Sequence, residues 1–288
     1  MILSVGELLM DVSATGSLDG LSSAIHFEAK PGGSPANFAY GCKKLGAETV
    51  LAATVGEDGF GDQLLTYVHN LGISTEYIHR TADHNTSLIM IGNKGATPEF
   101  IPYRGADCYI EPINEELIGR CRLIHSTSFA LSKPPAQYRI LDAMQKAFAS
   151  GKLVSVDWNY SVKIWGPDND AQPIFEQVMR YAPLLKLSLD DVERFWGSDM
   201  DIQLAMNMVN RYSTTAACIT CGSKGVWYRL HDGSWQHRAA KPITVNNPTG
   251  AGDSFWSGFI TTFLNGAPIE NCIDVAMETA ILKLQDKL

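Results

Sequence analysis

The chain has 288 residues and a formal net charge of −8, because 31 acidic side chains outnumber 23 basic ones. It contains no run of lysine and arginine, so nucleic acid and anionic membranes are poor partners for it. No stretch approaches the roughly 18 uninterrupted apolar residues of a membrane span. The N-terminal segment MILSVGELLMDV has no basic leader and predicts a first strand rather than a signal peptide. Six cysteines scattered through apolar segments favour reduced thiols and a cytoplasmic protein.

The first third of the chain has hairpin character. Segment 87–105, SLIMIGNKGATPEFIPYRG, contains two strand-like runs around a polar turn with glycine, which predicts a β-hairpin. Segment 12–30 is polar and loosely patterned, which indicates an irregular connection. Together the two segments, 12–30 and 87–105, predict a small β appendage.

From residue 121 onward, strand-like and helix-like segments alternate. The strand-like runs are LIHSTSF, KLVSVDW, LLKLSL and TAACITC, and helical patterns lie between them. Two further helices are expected over 251–265 and 268–285. This alternation predicts an α/β fold with a mainly parallel sheet that helices cover on both faces. No repeat or linker divides the sequence, so we expect residues 1–288 to form one domain with ligands at the carboxyl ends of its strands.

The segment NNPTGAGDSFWSGF predicts an anion site at the start of a helix. Gly250, Ala251 and Gly252 leave backbone N–H groups uncrowded at the helix N-terminus, where the partial charge is positive. Asp253, inside this turn, can accept a proton from a hydroxyl group while the neighbouring amides stabilise charge on a transferred phosphoryl group. Taken alone, such a carboxylate could equally serve only to favour the helix dipole.

A second segment, PGGSPANFAYGCKKLGAETVLAATVGEDGFG, predicts a capped helix beside a ligand. Ser34 is a good N-cap for this helix, Pro35 a good first helical residue and Gly46 a good stop. A capped helix does not explain the two adjacent glycines that end at Gly33, which would let the backbone approach a ligand. Asn37 offers a donor and an acceptor to a hydroxyl group.

Both segments resemble signatures of the ribokinase-like (PfkB-type) carbohydrate kinases, and the chain is most similar to the fructokinase branch. The resemblance implies a three-layer αβα sandwich with a mainly parallel sheet and a small β lid. It implies ATP-dependent phosphorylation of a hydroxyl group of a small sugar, with fructose as the expected substrate. By the same resemblance Asp253 is the catalytic base, and Gly250, Ala251 and Gly252 form the anion hole.

The resemblance also implies binding residues. Those expected to hold the sugar are Asp11, Gly33, Asn37, Arg104 and Asn159, with Arg104 projecting from the lid hairpin toward the substrate. Those expected at the nucleotide are Lys186, Ser188, Thr220, Gly222 and Gly225. Asp191 is expected to act on Mg²⁺ through water, and a monovalent cation such as K⁺ is a further implied partner. A homodimer through the lid is expected, because a monomer would leave four apolar side chains partly exposed: Ile89, Ile91, Phe100 and Ile101.

Some positions depart from the family pattern. Asn247 and Pro248 replace an aspartate and a threonine, which puts dependence on a monovalent cation in question. Further departures, which predict altered metal and adenine ends, are Ser161 for arginine, Ser188 for asparagine, Asp191 for glutamate, Met277 for asparagine and the stop at Leu288. The alternatives left open are a 2-keto-3-deoxysugar-acid kinase, a nucleoside kinase, and a catalytically weak homologue that senses sugar or nucleotide.

Overall fold

The computed structural model describes residues 1–16, 20–94, 97–167, 170–197, 199–245 and 249–287. Within these ranges the strands are β1 (Ile2–Val5), β2 (Leu9–Ala14), β3 (Phe27–Gly32), β4 (Thr49–Gly56), β5 (Ile78–Thr81), β6 (Leu88–Lys94), β7 (Thr97–Tyr103), β8 (Leu123–Thr127), β9 (Leu153–Asp157), β10 (Leu184–Ser188), β11 (Ala216–Thr220), β12 (Val226–Leu230) and β13 (Gln236–Arg238). The α-helices are α1 (Ser34–Lys44), α2 (Gly59–Asn70), α3 (Glu115–Arg120), α4 (Ala136–Ala149), α5 (Val162–Trp165), α6 (Gln172–Met179), α7 (Leu189–Trp196), α8 (Ile202–Val209), α9 (Ala251–Leu264) and α10 (Ile269–Leu284).

Nine strands form the main sheet in the order β13-β12-β11-β10-β9-β8-β1-β4-β5. The strands from β11 across to β5 pair in parallel, and β12 and β13 add an antiparallel edge. Side chains of a strand alternate between faces, so each strand serves two hydrophobic layers. Leu185 and Leu187 pack with α4, α6, α7 and α8, whereas Leu184 packs with α1, α9 and α10. The predicted mainly parallel α/β fold with helices on both faces is confirmed.

A second sheet of four strands, in the order β3-β2-β6-β7, forms the lid. The predicted hairpin over 87–105 is confirmed, since β6 and β7 pair antiparallel. The irregular connection predicted over 12–30 is wrong at both ends, because Leu9–Ala14 and Phe27–Gly32 pair antiparallel. β3 is an edge strand in which three of the six residues are exposed and only Gly32 is buried, so its sequence shows no alternation of apolar and polar residues.

The segment VGEDGFG connects the end of β4 in the main sheet to the beginning of the lid strand β6. Asp58 caps α2 by accepting hydrogen bonds from the backbone N–H groups of Phe60 and Gly61. The same carboxylate accepts the backbone N–H of Thr86 at 2.7 Å and the Thr86 hydroxyl at 2.8 Å. Because Thr86 lies just before β6, one side chain fixes both the start of α2 and the entry to the lid.

All six cysteines are free thiols, and five of them are buried. Among the residues described, no helix has the length and apolar character needed to cross a membrane.

Candidate active site

The candidate residues collect at the carboxyl ends of neighbouring strands. Glu7 follows β1, Asp157 ends β9, Ser188 ends β10, and Thr220 ends β11 beside Ser188. The first turn of α9, which carries Asp253, faces this same edge of the sheet through contact with Lys186 of β10. Parallel strands place these ends together although the residues are far apart in sequence.

α9 begins at the predicted anion turn. Its N-cap is Gly250, whose φ of 76° lies in the left-handed region that favours glycine. Asp253 therefore lies in the first helical turn, where free backbone N–H groups point out of the helix end. A side chain at residue 250 would also lie 3.2 Å from Cε of Lys283 and 3.8 Å from Nδ2 of Asn37. The turn is crowded on one side by polar groups of two other helices.

The Asp253 carboxylate is held by two side chains of α1. Its Oδ1 accepts a hydrogen bond from the Ser34 hydroxyl at 2.5 Å, and its Oδ2 accepts one from Nδ2 of Asn37 at 2.9 Å. The prediction that Ser34 caps α1 is wrong. Gly33 is the N-cap and Ser34 the first helical residue, so its hydroxyl is available to Asp253 and Pro35 moves to the second position.

Close packing of α1 on α9 makes these bonds possible. A Cβ atom at Gly41 would overlap Oγ of Ser257, so the two helices approach with only a glycine between them. Gly41 was not among the residues predicted from the sequence. Its position in α1, seven residues after Ser34 and on the same face, could have indicated a helix contact.

The two adjacent glycines are explained by two different neighbours. A Cβ atom at Gly32 would overlap the Asp11 carboxylate, and a Cβ atom at Gly33 would overlap the carbonyl oxygen of Glu7. Gly33 also has a φ of 113°, which a residue with a side chain rarely adopts. The paired glycines thus let the start of α1 lie directly against β2 and the end of β1.

Glu7 is a buried carboxyl group that the sequence analysis did not interpret. Its Oε1 accepts the backbone N–H of Ser34 at 3.2 Å, and its Oε2 accepts the hydroxyl of Thr127 at 3.0 Å. Burial raises its pKa to about 8, against lowering contributions that include its own backbone and Arg104. Glu7 links the start of α1 to β8 and so positions the residue that holds Asp253.

Burial and neighbouring negative charge raise the pKa values of both carboxyl groups nearest the anion turn. The pKa of Asp253 is raised by burial and by the charge of Asp157, against hydrogen bonds from Ser34 and Asn37 that lower it. The pKa of Asp11 is raised to about 6 by burial and then by the charge of Asp253. A carboxylate with a raised pKa is a stronger proton acceptor, which suits general-base chemistry near neutral pH.

Lys186 brings positive charge against the anion turn. Its ammonium group bonds both carboxylate oxygens of Asp157 at 2.8 Å, and its side chain is 5% exposed. A Cβ atom at Gly252 would lie 3.1 Å from Nζ of Lys186, so the lysine touches the backbone of the turn. Burial lowers the pKa of Lys186, but the charges of Asp157 and Asp191 outweigh it and the pKa is raised. The lysine therefore stays protonated beside Gly252.

Ser188 and Asp191 bind each other rather than an open site. The Ser188 hydroxyl accepts the backbone N–H of Asp191, and the Asp191 carboxylate accepts the backbone N–H of Ser188, which together form a capping box on α7. Arg194 donates to the second oxygen of Asp191 at 3.1 Å. Among the described residues no cluster of three or more metal-ligating side chains occurs. With both carboxylate oxygens engaged, Asp191 does not fit a direct Mg²⁺ ligand.

The turn after β11 has one open glycine and one packed glycine. Thr220 donates its hydroxyl to the carbonyl of Leu187 at 3.4 Å. Gly222 has a φ of 53°, and an added Cβ atom there would meet no atom within 4 Å. At Gly225 a Cβ atom would overlap the carbonyl oxygen of Arg238. Gly222 therefore presents bare backbone to open space, whereas Gly225 allows close contact with β13.

Arg104, which the resemblance places toward the substrate, is buried against residues of its own chain, and its contact with a substrate stays a prediction. It lies just after the lid strand β7, and its side chain is 2% exposed. Its Nε donates to Asp107 at 2.6 Å, its Nη1 donates to Oγ of Ser132 at 2.9 Å, and the guanidinium group stacks over the ring of Phe129. Its Nη2 forms an ion pair with Asp107 at 2.5 Å but has no hydrogen-bond partner among the described residues. Asn159 accepts the backbone N–H of Phe129 at 3.2 Å. The positive charge of Arg104 is thus compensated inside the protein.

The other residues that depart from the family pattern lie in different parts of the structure. Asn247 and Pro248 lie outside the described residues. Ser161 precedes α5 and makes no capping bond, while Nζ of Lys163 lies 4.7 Å from the ring centre of Phe100 in the lid. Met277 packs, partly buried, against the apolar layer of α9 and α10.

Comparison with known proteins gives consistent relatives along the whole chain. The sequence profile described as "pfkB family carbohydrate kinase" matches residues 1–288. An ATP-dependent 6-phosphofructokinase of Thermoanaerobacterium thermosaccharolyticum is 28% identical over 99% of this chain and 88% of its own length. The structure of Halothermothrix orenii fructokinase superposes with a TM-score of 0.85 at 28% identity, covering 97% of this chain and 98% of that one. An uncharacterised sugar kinase of Pyrococcus horikoshii, solved in complex with ATP, shares the fold with a TM-score of 0.85 at 23% identity, covering 99% and 92%.

Proposed function

Because the chain belongs to the pfkB family of carbohydrate kinases, we propose that it transfers the terminal phosphoryl group of ATP to a hydroxyl group of a small neutral sugar, with fructose as the substrate. One observation carries the proposal. A carboxylate with a raised pKa, Asp253, lies in the first turn of α9 directly after the Gly250–Gly252 turn. A proton acceptor beside an anion-binding turn is the pairing that phosphoryl transfer to a hydroxyl group requires.

In the proposed reaction Asp253 accepts the proton of the attacking hydroxyl group. The sugar oxygen forms a bond to the γ-phosphorus as the bond from that phosphorus to the β–γ bridging oxygen breaks, and ADP leaves. Backbone N–H groups of Gly250, Ala251 and Gly252 stabilise the negative charge that develops on the transferred group. Lys186, which touches Gly252, adds positive charge at the same turn.

The proposed sugar site lies between α1 and the root of the lid. We assign Asp11 and Asn37 to the sugar hydroxyl groups, with Gly33 contributing close backbone and Asn159 lining the pocket. Arg104 is proposed to contact the sugar at an uncharged group through the N–H groups that Asp107 and Ser132 leave open, because Asp107 already balances its charge. A site with a compensated arginine favours a neutral sugar over one that carries a carboxylate or a phosphate.

The proposed nucleotide site lies at the ends of β10 and β11. Gly222 would present backbone to the nucleotide, with Thr220 and Gly225 shaping the turn and Lys186 and Ser188 beside the phosphates. Mg²⁺ would arrive bound to ATP and neutralise charge on its phosphates, and Asp191 would reach it only through water. A site for a monovalent cation such as K⁺ stays a prediction, since Asn247 lies outside the described residues.

ADP release measured with a panel of sugars tests the proposed function. We expect turnover with fructose and ATP, and a lower kcat/KM with other neutral hexoses. The fructokinase relative supports fructose. The 6-phosphofructokinase relative makes fructose 6-phosphate the necessary second substrate in the panel. Faster turnover of fructose 6-phosphate than of fructose would contradict the assignment of a neutral sugar.

The alternatives are separated by the same panel and by calorimetry. A 2-keto-3-deoxysugar-acid kinase would require an uncompensated positive charge at the sugar, which Arg104 does not provide. A nucleoside kinase would release ADP with nucleosides and not with hexoses. A sensing homologue would bind sugar without binding ATP–Mg²⁺, so titration of each ligand into the intact protein distinguishes it from an enzyme.

We also propose that the protein is a cytoplasmic homodimer that associates through its lid. Ile101 and Tyr103 of β7 are 42% and 57% exposed, and Phe27 of β3 is 41% exposed. Of the four apolar lid side chains that were predicted to be partly exposed, Ile89 is the exception, because it is only 8% exposed. Six free cysteines suit a reducing compartment. Sedimentation of the wild type and of Ile101→Lys at micromolar concentration tests the dimer, and a monomeric wild type would contradict it.

A further inference from the structure

Lys283 lies beside the anion turn, although it comes from the last turn of α10. α9 and α10 form an antiparallel pair that packs closely at Gly258, where an added Cβ atom would lie 2.9 Å from Cα of Ala276. This register brings Lys283 back to the beginning of α9. Its Cε lies 3.2 Å from the position that a Cβ atom would occupy at Gly250. Its ammonium group, one bond further along, is therefore beside the turn that precedes Asp253.

Around the Gly250–Gly252 turn, negatively charged side chains outnumber the positively charged ones that could balance them. Asp253, Asp11 and Asp157 bring negative charge, and Lys186 is already engaged by both oxygens of Asp157. Within the part of the chain that the structure describes, no carboxylate lies within 4.0 Å of the Lys283 ammonium group. Lys283 is thus an uncompensated positive charge against a backbone that is built to receive an anion.

We propose that Lys283 binds the β- and γ-phosphates of ATP at the Gly250 turn. The proposal rests on the proposed function, because it takes this turn as the place of phosphoryl transfer. A nucleoside triphosphate brings several negative charges into a site already rich in carboxylates, and an unpaired lysine offsets part of that repulsion. Glycine at residue 250 then has two roles. It adopts the left-handed backbone conformation, and it leaves room for the aliphatic part of the Lys283 side chain.

A purely structural role predicts different behaviour. A cation in the last turn of a helix favours the helix dipole, and that contribution would alter stability without regard to which ligand is bound. Loss of a phosphate contact would instead weaken the binding of a triphosphate and leave a nucleotide without β- and γ-phosphates unaffected. The two roles can therefore be distinguished by comparing ligands on one variant.

The experiment measures binding of AMP-PNP and of AMP to the full chain by calorimetry. The variants are Lys283→Met, Lys283→Arg and, as a matched control, Lys287→Met, which removes an exposed lysine whose ammonium group bonds Gln285. We expect Lys283→Met to weaken AMP-PNP binding about ten- to hundredfold, the range for a charged hydrogen bond. AMP binding should change less than about twofold, Lys283→Arg should recover most of the loss, and Lys287→Met should match the wild type.

Two outcomes would overturn the assignment of Lys283: unchanged AMP-PNP binding in Lys283→Met, or equal weakening of AMP and AMP-PNP. ADP release by the wild type is measured in parallel. Sugar-dependent ADP release together with unchanged AMP-PNP binding in Lys283→Met rejects only the lysine. No ADP release with any sugar, together with weakened AMP-PNP binding in Lys283→Met, rejects the proposed function and supports the lysine. A wild type that binds neither nucleotide rejects both.

Discussion

The proposed base side and the proposed nucleotide side of the candidate site differ in what their polar groups bind. On the base side, Ser34 and Asn37 of one helix hold Asp253 of another, so the polar groups connect separate elements. On the nucleotide side, Ser188 and Asp191 bind each other across one helical turn. The first arrangement fixes the geometry between elements, whereas the second stabilises only the start of α7.

This difference teaches where substitution is tolerated. A residue that joins two elements across the site must keep its size and its donors, and glycines must keep the elements close enough to meet. A residue pair within one turn can become shorter while its capping role is preserved. Ser188 and Asp191 are such a pair: they are shorter than the Asn and Glu of the family pattern, and they still cap α7. The predictions below test the contrast, beginning with the largest expected effect.

Asp253→Asn should lower kcat by about a thousandfold or more, because it removes the proposed proton acceptor and general bases contribute factors of this order. Sugar affinity should change by less than about threefold. The matched control is Glu270→Gln, which removes an acidic group from the first turn of α10. If Asp253 served only the helix dipole, both variants would show the same small effect. Steady-state kinetics and sugar calorimetry distinguish these outcomes.

Gly33→Ala should lower the free energy of unfolding by more than about 2 kcal/mol, because it combines backbone strain with overlap against Glu7. Displacement of the start of α1 should also reduce kcat, since Ser34 is the next residue. Gly46→Ala is the control. It has a φ of 85° but open space around it, so only the strain of about 1 kcal/mol is expected. Equal urea midpoints for the two variants would refute the close contact at Gly33.

Sugar binding should weaken as the pH falls through about 6, because burial raises the pKa of Asp11 to about 6 and the ionised carboxylate accepts hydroxyl hydrogen bonds more strongly than the protonated acid. Below that pH the loss should approach tenfold per pH unit. In Asp253→Asn the midpoint should move to lower pH, since the charge of Asp253 contributes to raising the pKa of Asp11. Calorimetry of sugar binding between pH 5 and pH 8 measures both, and an unmoved midpoint would show that the two carboxylates do not interact.

Ser188→Ala should have the smallest effect, a loss of about 1 kcal/mol in the free energy of unfolding, which is typical of a missing N-cap. The KM for ATP should rise by less than about tenfold. Asp201→Ala is the control, because Asp201 caps α8 in the same way. The two variants should lose similar stability, and only Ser188→Ala should alter the KM for ATP. A large fall in kcat for Ser188→Ala would place this serine in the reaction itself.

Much of the fold could be predicted because it follows from local pattern. Buried parallel strands such as β8 and β10 appear as short apolar runs, and helices such as α4 have an apolar stripe and a stopping glycine. The strand β3 could not be found this way, since an edge strand with exposed side chains has no periodic signal. That residues 1–288 form one domain stays a prediction.

The candidate site could be predicted only where residue type alone carries the chemistry. Asp253 and its glycine turn have this property. The partners of a side chain do not follow from residue type, so the buried ion pair of Arg104 with Asp107 was not predicted. Lys283 could not be predicted at all, because its place beside Gly250 depends on the register between α9 and α10.

The hydrogen bond from Ser34 to Asp253 joins residues 219 positions apart in sequence. During synthesis on the ribosome, α1 is complete long before α9 exists. Ser34 and Asn37 can therefore bind Asp253 only after most of the chain has emerged. A contact of such long range closes late and slowly. Appearance of sugar-dependent ADP release during refolding would therefore report the final joining of the two helices, after the sheet that both of them cover has formed.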